Sequence, residues 1–84
     1  MKLEIITPER IIFQGDVVSV TLPGAAGMFQ VLENHAPVIS LLQKGKLTFV
    51  HKDKEVTELL IEDGFAEINK NRVTVCLDSI IEEV

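Results

Sequence analysis

Residues 46–77 read KLTFVHKDKEVTELLIEDGFAEINKNRVTVCL, and this stretch decides the fold. Apolar and polar residues alternate in short runs, which is typical of strands that bury one face and leave the other in solvent. The alternation places Leu47 and Phe49 inward, and the valines at 73 and 75 on one face. Turn signals separate the runs at three places: residues 52–54, 63–64 and 69–71. The pattern predicts successive strands, the first two of which form a hairpin.

The rest of the chain repeats this pattern. β-Branched residues dominate residues 2–7, which predicts a strand. Residues 10–13 are predicted to form a short return strand that ends in a tight turn at residues 14–16. Residues 16–22 then form a separate strand, with Val18, Val20 and Leu22 on one face, and residues 38–43 form another. No segment sustains apolar residues at helical spacing over the ~12 residues that an independent helix needs, so the sequence predicts an all-β sandwich or barrel.

The length of 84 residues fits one small domain over residues 1–84. The tail at residues 78–84 is predicted to begin a helix. Asp78 or Ser79 provides the N-cap, and Glu82 and Glu83 lie in the first turns. We interpret this tail as the stub of a helical segment.

The composition indicates a protein that works against a partner. Hydrophobic residues make up 46% of the chain and the mean hydropathy is +0.28, which is more than so small a core can bury. The net charge of −5 and scattered basic residues argue against nucleic acid. The single cysteine excludes an internal disulfide and favours a cytoplasmic location. The chain starts without a signal peptide and lacks an apolar run of ~20 residues, so membrane association is expected only through a partner.

Residues 21–37, TLPGAAGMFQVLENHAP, form the longest segment without a clean strand pattern. Pro23-Gly24 and Gly27 predict turns, because proline presets φ and glycine reaches backbone angles that other residues reach with strain. Met28 and Phe29 point to opposite faces if they lie in a strand, so at least one of them faces away from the core. An exposed Met or Phe beside a loop suits a contact surface, although a second small apolar cluster explains it equally well.

The residues that invite a catalytic interpretation lack partners in the sequence. His35 is predicted to be a turn or interface residue, because the sequence offers no nucleophile motif and no orienting acid. His51 has no ligand-spaced partner, so no metal site is expected. Cys76 is predicted to be a small buried hydrophobe. Residues 23–27 are too short for a phosphate-binding loop and lack a lysine, so a tight surface turn is expected.

A family resemblance rests on a series of short motifs. They are Ile6-Thr7-Pro8-Glu9, Phe13-x-Gly15, Pro23-Gly24-x-x-Gly27, Asn34-His35-Ala36-Pro37 and Leu42-x-x-Gly45-x-Leu47. In this order and spacing the chain resembles the epsilon subunit of F-type ATP synthases over essentially its whole length. The resemblance implies a flattened β-sandwich of about ten strands.

The resemblance also implies a function. In that family this domain is a non-catalytic part of the rotor, without a cofactor. It packs against the gamma subunit and sits on the polar loops of the c-subunit ring of a proton-translocating complex, on the cytoplasmic face of the bacterial plasma membrane. The turn at residues 23–28 matches the family's loop near the c-subunit ring, and residues 34–37 match the segment that adjoins the rotor contacts. Together with the exposure argument above, the resemblance therefore implies docking residues at Ala26, Met28, Phe29, Asn34 and His35.

The sequence departs from the family pattern in three places. Gln30 stands where the family usually has glycine and Glu33 where it often has proline. The family's C-terminal helical hairpin is absent from this sequence, so ATP binding and inhibition by that hairpin are not expected. Two other functions remain open: a lipoyl- or biotinyl-type carrier domain with a modified lysine at the 52–54 tip, and a small enzyme that uses His35.

Overall fold

The structure, a computed structural model, describes residues 1–83, and these form nine strands. The all-β prediction is therefore confirmed, and the count is close to the expected ten. The strands are β1 (Lys2–Ile6), β2 (Ile11–Gly24), β3 (Gly27–Leu32), β4 (Val38–Leu42), β5 (Gly45–His51), β6 (Val56–Ile61), β7 (Gly64–Asn69), β8 (Arg72–Leu77) and β9 (Ile80–Glu83).

The long strand β2 belongs to both layers of the sandwich. Its first half pairs with β1, and the first layer continues through β8 and β7 to β4. Its second half pairs with β3 on one side and β5 on the other, and the second layer continues through β6 to β9. The β1–β8 pair is parallel, whereas the other pairs are antiparallel.

The core fills the space between the two layers. Every strand from β1 to β8 contributes buried apolar side chains to one cluster, and Ile80 of β9 packs against it. Leu47 and Phe49 point inward, as the alternation predicted, and so do Val73 and Val75. Each fully buried aliphatic or phenyl side chain contributes roughly 1.5–3 kcal/mol of transfer free energy. The burial of one face of each strand therefore provides the main stabilisation.

The predicted tight turn at residues 14–16 is wrong. These residues continue β2 without a break and pair with β1, where Gly15 lies opposite Leu3. The glycine accommodates a neighbouring ring instead of a turn: a Cβ at Gly15 would lie 3.1 Å from the Phe13 ring. The Gln-Gly-Asp motif resembled turn chemistry, but its pairing with β1 overrides that local preference.

The prediction that Val18 shares a face with Val20 and Leu22 is also wrong. Val17 and Val20 are buried, whereas Val18 is exposed. The register between β2 and β5 shifts here, since Val17 lies opposite His51 and Ser19 opposite Val50. This irregularity interrupts the period-two alternation on which the prediction relied.

The predicted helix at the C-terminal tail is wrong within the described residues. Residues 80–83 form strand β9, which pairs with β6 and places Ile80 opposite Ile61. The edge of β6 offers backbone partners to the tail, and burial of Ile80 adds to this pairing. The last residue of the predicted tail, Val84, lies outside the described residues.

Turns predicted from polar tips are confirmed. Residues 52–54 join β5 to β6, with Lys54 at a φ of 74°. The turn between β7 and β8 places Lys70 and Asn71 at φ values of 53° and 60°. Two consecutive left-handed residues are typical of a tight two-residue hairpin. This turn positions Asn71 beside the loop that precedes β4.

Candidate docking surfaces

The tip of the β2–β3 hairpin lies within residues 23–27, where a tight turn was expected. Pro23 and Gly24 are the last residues of β2, and the turn itself consists of Ala25 and Ala26. Gly24 faces Gly27 across the hairpin, and a Cβ at Gly24 would lie 2.7 Å from the Gly27 carbonyl oxygen. Gly27 has a φ of 131°, which L-residues rarely adopt. The glycines therefore close the hairpin, and Ala26 is exposed at its tip.

Met28 and Phe29 face opposite sides of β3, as predicted. The Met28 side chain is 59% exposed, whereas Phe29 is half-buried and packs against the core. The Phe29 ring also covers Gly24, where an added Cβ would lie 2.9 Å from it. We call the exposed Ala26 and Met28 the Met28 end; Phe29 supports this end from beneath.

Asn34 and His35 lie beyond the opposite end of β3. Asn34 has a φ of 61°, and its N–H donates to Oδ1 of Asn71 at 2.9 Å. The His35 N–H donates to the Leu32 carbonyl at 3.2 Å, and its ring Nδ1–H donates to the Ala36 carbonyl at 2.7 Å. The imidazole is thus bound to its own backbone, in a loop next to the β7–β8 turn.

The structure therefore divides the predicted docking residues between two places. Four residue steps of extended β3, about 13 Å, separate Met28 from Leu32, and the loop with Asn34 and His35 follows. Strand β3 thus lies between the segment that the resemblance matches to the c-subunit ring and the segment that it matches to the rotor contacts.

A third surface, which sequence reasoning did not locate, covers the outer side of the first layer. Ile39 and Leu41 alternate along β4 and are 72% and 69% exposed, and Phe65 of β7 is 46% exposed. Leu41 lies opposite Phe65, Phe65 opposite Cys76, and Cys76 beside Ile6. We call these residues, Ile6, Ile39, Leu41, Phe65 and Cys76, the apolar face.

Cys76 is half-buried within the apolar face and not fully buried, as the sequence had predicted it to be. Its neighbours Val75 and Leu77 point inward, so the pleat turns the thiol outward. It lines a groove of about 320 Å³ together with Ile6, Phe65 and residues of the adjoining turns. Burial raises the pKa of the Cys76 thiol, and the charges of Glu4 and Glu67 raise it further. This cysteine is a poor nucleophile.

The apolar face and the Met28 end adjoin. The Ala25 N–H donates to the Leu41 carbonyl at 2.8 Å, and the Gln43 N–H donates to the Pro23 carbonyl at 2.9 Å. These bonds hold the hairpin tip against β4. At the other end of β4, Pro37 and Ile39 line a shallow depression of about 370 Å³, and Pro37 is the last residue of the loop that carries His35.

The outer side of the second layer has a different composition. Gln30, Thr21, Thr48 and Glu58 lie side by side across β3, β2, β5 and β6. On the same side, Nζ of Lys46 lies 3.8 Å from Oε2 of Glu58. We call these residues, Thr21, Gln30, Lys46, Thr48 and Glu58, the polar face.

His51 packs within the fold, and the described residues hold no group of side chains suited to a metal ion. His51 packs against Phe13 and Phe49, and its Nε2 lies 2.8 Å from the Thr57 hydroxyl. Within residues 1–83, no group of three His, Cys, Asp or Glu side chains is placed to hold a metal ion. The same residues include no helix that is long and apolar enough to cross a membrane.

Known proteins resemble this chain over most of its length. The family model described as the ATP synthase delta/epsilon chain β-sandwich domain matches residues 1–83. An ATP synthase epsilon chain of Protochlamydia amoebophila is 47% identical over 78 residues, which is 93% of this chain and 53% of the relative. One of Chlorobium limicola is 37% identical over 79 residues, with 94% and 90% covered.

Solved structures agree on the fold. A chain of the Euglena gracilis mitochondrial ATP synthase (OSCP/F1/c-ring) superposes with a TM-score of 0.88 at 22% identity, and the match covers 94% of this chain and 51% of that one. This chain spans about half the length of some relatives that it matches and nearly the full length of others. Because the family model matches residues 1–83, the chain belongs to the ATP synthase delta/epsilon β-sandwich family.

Proposed function

We propose that this chain is a non-catalytic rotor subunit of a proton-translocating F-type ATP synthase, which couples the gamma subunit to the c-subunit ring. The observation that carries the proposal is the apolar face, an exposed cross-strand row on a domain whose relatives are named ATP synthase epsilon chains. A small domain that exposes such a row in water needs a protein partner to cover it.

We assign the apolar face to the gamma subunit. Leu41 and Ile39 project from β4, and Phe65 provides an aromatic anchor beside the groove at Cys76. Aromatic and aliphatic side chains around a groove are typical of the centre of a stable interface. Asn34 and His35 belong to the loop that ends at Pro37, and Pro37 lines the depression beside Ile39, so we assign these two residues to the rim of this surface.

We assign the Met28 end to the polar loops of the c-subunit ring. The end is a narrow tip that carries small or flexible apolar side chains, Ala26 and Met28, and no charge. Methionine adapts its shape to irregular surfaces, which suits contact with a ring of repeated loops. Because the tip is hydrogen-bonded to β4, force applied at the ring passes directly to the strand that carries the gamma contacts.

In this account the chain binds neither cofactor nor ATP and reaches the membrane only through the assembled complex, on its cytoplasmic face. The carrier alternative gains no support. The 52–54 tip is an ordinary polar turn, in which Asp53 Oδ1 accepts the Glu55 N–H at 3.0 Å. The family match over residues 1–83 favours the rotor subunit over that alternative.

Three matched charge substitutions test the proposal. Leu41→Glu should weaken binding to purified gamma subunit at least about 30-fold, because it places a carboxylate in the centre of the interface. Met28→Glu should leave gamma binding intact and weaken association of the gamma complex with the c-ring. Val56→Glu, at a residue 58% exposed on β6, is the control and should change neither.

Titration calorimetry and co-sedimentation with c-rings measure the two associations. Circular dichroism checks that each variant stays folded. Failure of the unmodified chain to bind gamma subunit would contradict the rotor function. Equal losses for Leu41→Glu and Val56→Glu would contradict the assignment of the apolar face.

A further inference from the structure

The N terminus lies inside the fold, next to the loop that carries Asn34 and His35. The Met1 side chain is 5% exposed and belongs to the core cluster. The Met1 carbonyl accepts a hydrogen bond from the Val17 N–H at 2.9 Å. Residue 1 is therefore held as an interior residue would be.

The α-ammonium group of Met1 pairs with Glu33. The nitrogen lies 2.9 Å from Oε1 of Glu33, and Oε2 accepts a hydrogen bond from Nδ2 of Asn71 at 3.3 Å. The hydrogen bond from the Met1 ammonium lowers the pKa of the Glu33 carboxyl, and that from Asn71 lowers it further. The carboxylate thus receives a donor on each oxygen.

Asn71 extends this network into the loop. Its side-chain oxygen accepts the Asn34 N–H, and its backbone oxygen accepts the Lys2 N–H at 3.1 Å. Asn34 and Asn71 both adopt left-handed φ angles, which require support from their surroundings. The contacts join the start of β1, the loop between β3 and β4, and the turn between β7 and β8.

We propose that the α-amino group of Met1, when it is free, positions the loop at residues 33–35, and that an acyl group or an added residue on Met1 loosens this loop. An acyl group, such as the formyl group of an initiator methionine, converts the charged donor into a neutral amide. An added residue displaces the charge by about 3.8 Å. Loss of Met1 removes an apolar side chain from the core.

This inference rests only on contacts within the chain and does not depend on the rotor function. Glu33 stands where the family often has proline, and its carboxylate has a structural role here. The residue anchors the loop to the N terminus in place of the backbone stiffness of proline.

Amide hydrogen exchange, followed by NMR, tests the proposal on the full chain in three forms: free Met1, N-formyl-Met1, and Gly-Met1 with one added residue. The Asn34 amide should exchange about three- to fivefold faster in the two altered forms, because half-exposed ion pairs contribute modestly. Glu33→Gln should accelerate exchange similarly in the free form and add nothing to the formylated form. Glu55→Gln, at an exposed carboxylate on the other side of a different turn, should have no effect.

Two results would overturn the inference. One is equal Asn34 exchange in the free and formylated chains. The other is equal acceleration of the β8 amides, since that indicates general destabilisation instead of loop positioning.

Discussion

The outer sides of the two layers obey the same strand periodicity but carry opposite chemistry. The apolar face presents Leu41, Phe65 and Cys76 in one cross-strand row. The polar face presents Thr21, Thr48 and Glu58 in the equivalent kind of row. Each layer already buries its inner side in the shared core. Under the proposed function, the apolar row meets the gamma subunit and the polar row Thr21, Thr48 and Glu58 stays in water, whereas Met28 contacts the c-ring at the end of the second layer.

This contrast explains the high apolar content of so small a domain. The excess is not spread evenly, because the most exposed apolar side chains on β4 and β7 adjoin one another. Near the polar face, the exposed Leu32 and Val56 lie at the two ends of another cross-strand row. Val56 lies opposite the half-buried Val50, but the polar Ser19 separates this pair from Leu32. Contiguity, more than the number of exposed residues, distinguishes the two sides.

The largest expected effect is on the stability of β7, a strand that carries part of the apolar face. Gly64→Ala should lower the free energy of unfolding by about 2–3 kcal/mol, because the new Cβ meets the Cys76 carbonyl oxygen and the backbone of β8 must shift. Urea denaturation followed by circular dichroism measures this change. Gly27→Ala has no clash and only an unfavourable φ, so a loss of about 1 kcal/mol is expected there. A larger loss at Gly27 would show that the hairpin tip is the more constrained region.

The second-largest effect is expected on gamma binding, when the Phe65 side chain is removed from the apolar face. Phe65→Ala should weaken gamma binding about 10- to 30-fold while changing the unfolding free energy little, because the ring is 46% exposed in the free domain. Titration calorimetry and thermal unfolding separate the two contributions. A large loss of stability together with unchanged affinity would place Phe65 in the fold instead of the interface.

Cys76 reports on the apolar face without any substitution. Its alkylation should be slow at neutral pH and rise about tenfold per pH unit up to a raised pKa above the ordinary 9.0, because the thiolate is the reactive form. Bound gamma subunit should slow the reaction at least about tenfold more by covering the groove. Mass spectrometry follows the single thiol. An unchanged rate in the complex would mean that the groove stays open.

The smallest effect belongs to the polar face. Lys46→Gln removes a partner that lies 3.8 Å from Glu58 at the surface, so the unfolding free energy should change by less than about 0.5 kcal/mol. Gamma affinity should not change. A loss of affinity comparable with that of Phe65→Ala would abolish the contrast between the two sides.

The Glu33 carboxyl has a lowered pKa in the folded chain, and the sign of its effect follows. A carboxyl with a lowered folded pKa stabilises the fold above its unfolded pKa, and this contribution is lost as the pH falls through the folded value. The unfolding temperature of the unmodified chain should therefore fall more steeply below a pH of about 4.5 than the unfolding temperature of Glu33→Gln. Parallel curves would contradict the contact with Met1.

Sequence reasoning predicted strands well where turn chemistry and alternation agreed, as in residues 46–77. It failed where pairing decided the outcome. Gly15 resembled a turn but continues β2, and residues 80–83 carried cap signals but pair with β6. Neither partner strand is local, so no nearby residue signals the pairing.

The surfaces were predictable only in part. The sequence indicated excess apolar surface and an exposed Met28, and the resemblance drew attention to His35. The apolar face escaped because Leu41, Phe65 and Cys76 are far apart in the chain and meet only through the order of β4, β7 and β8. The Met1–Glu33 contact likewise joins residues 32 positions apart. Such contacts follow from topology, which alternation alone does not specify.

Hydrogen exchange of this chain, alone and bound to gamma subunit, tests the central claim most directly. The two rows lie on opposite layers, so one experiment compares them under identical conditions. The account predicts strong protection on binding at Leu41, Phe65 and Cys76, with unchanged exchange at Thr21, Thr48 and Glu58. Protection of the polar row, or of neither row in a complex that forms, would contradict it.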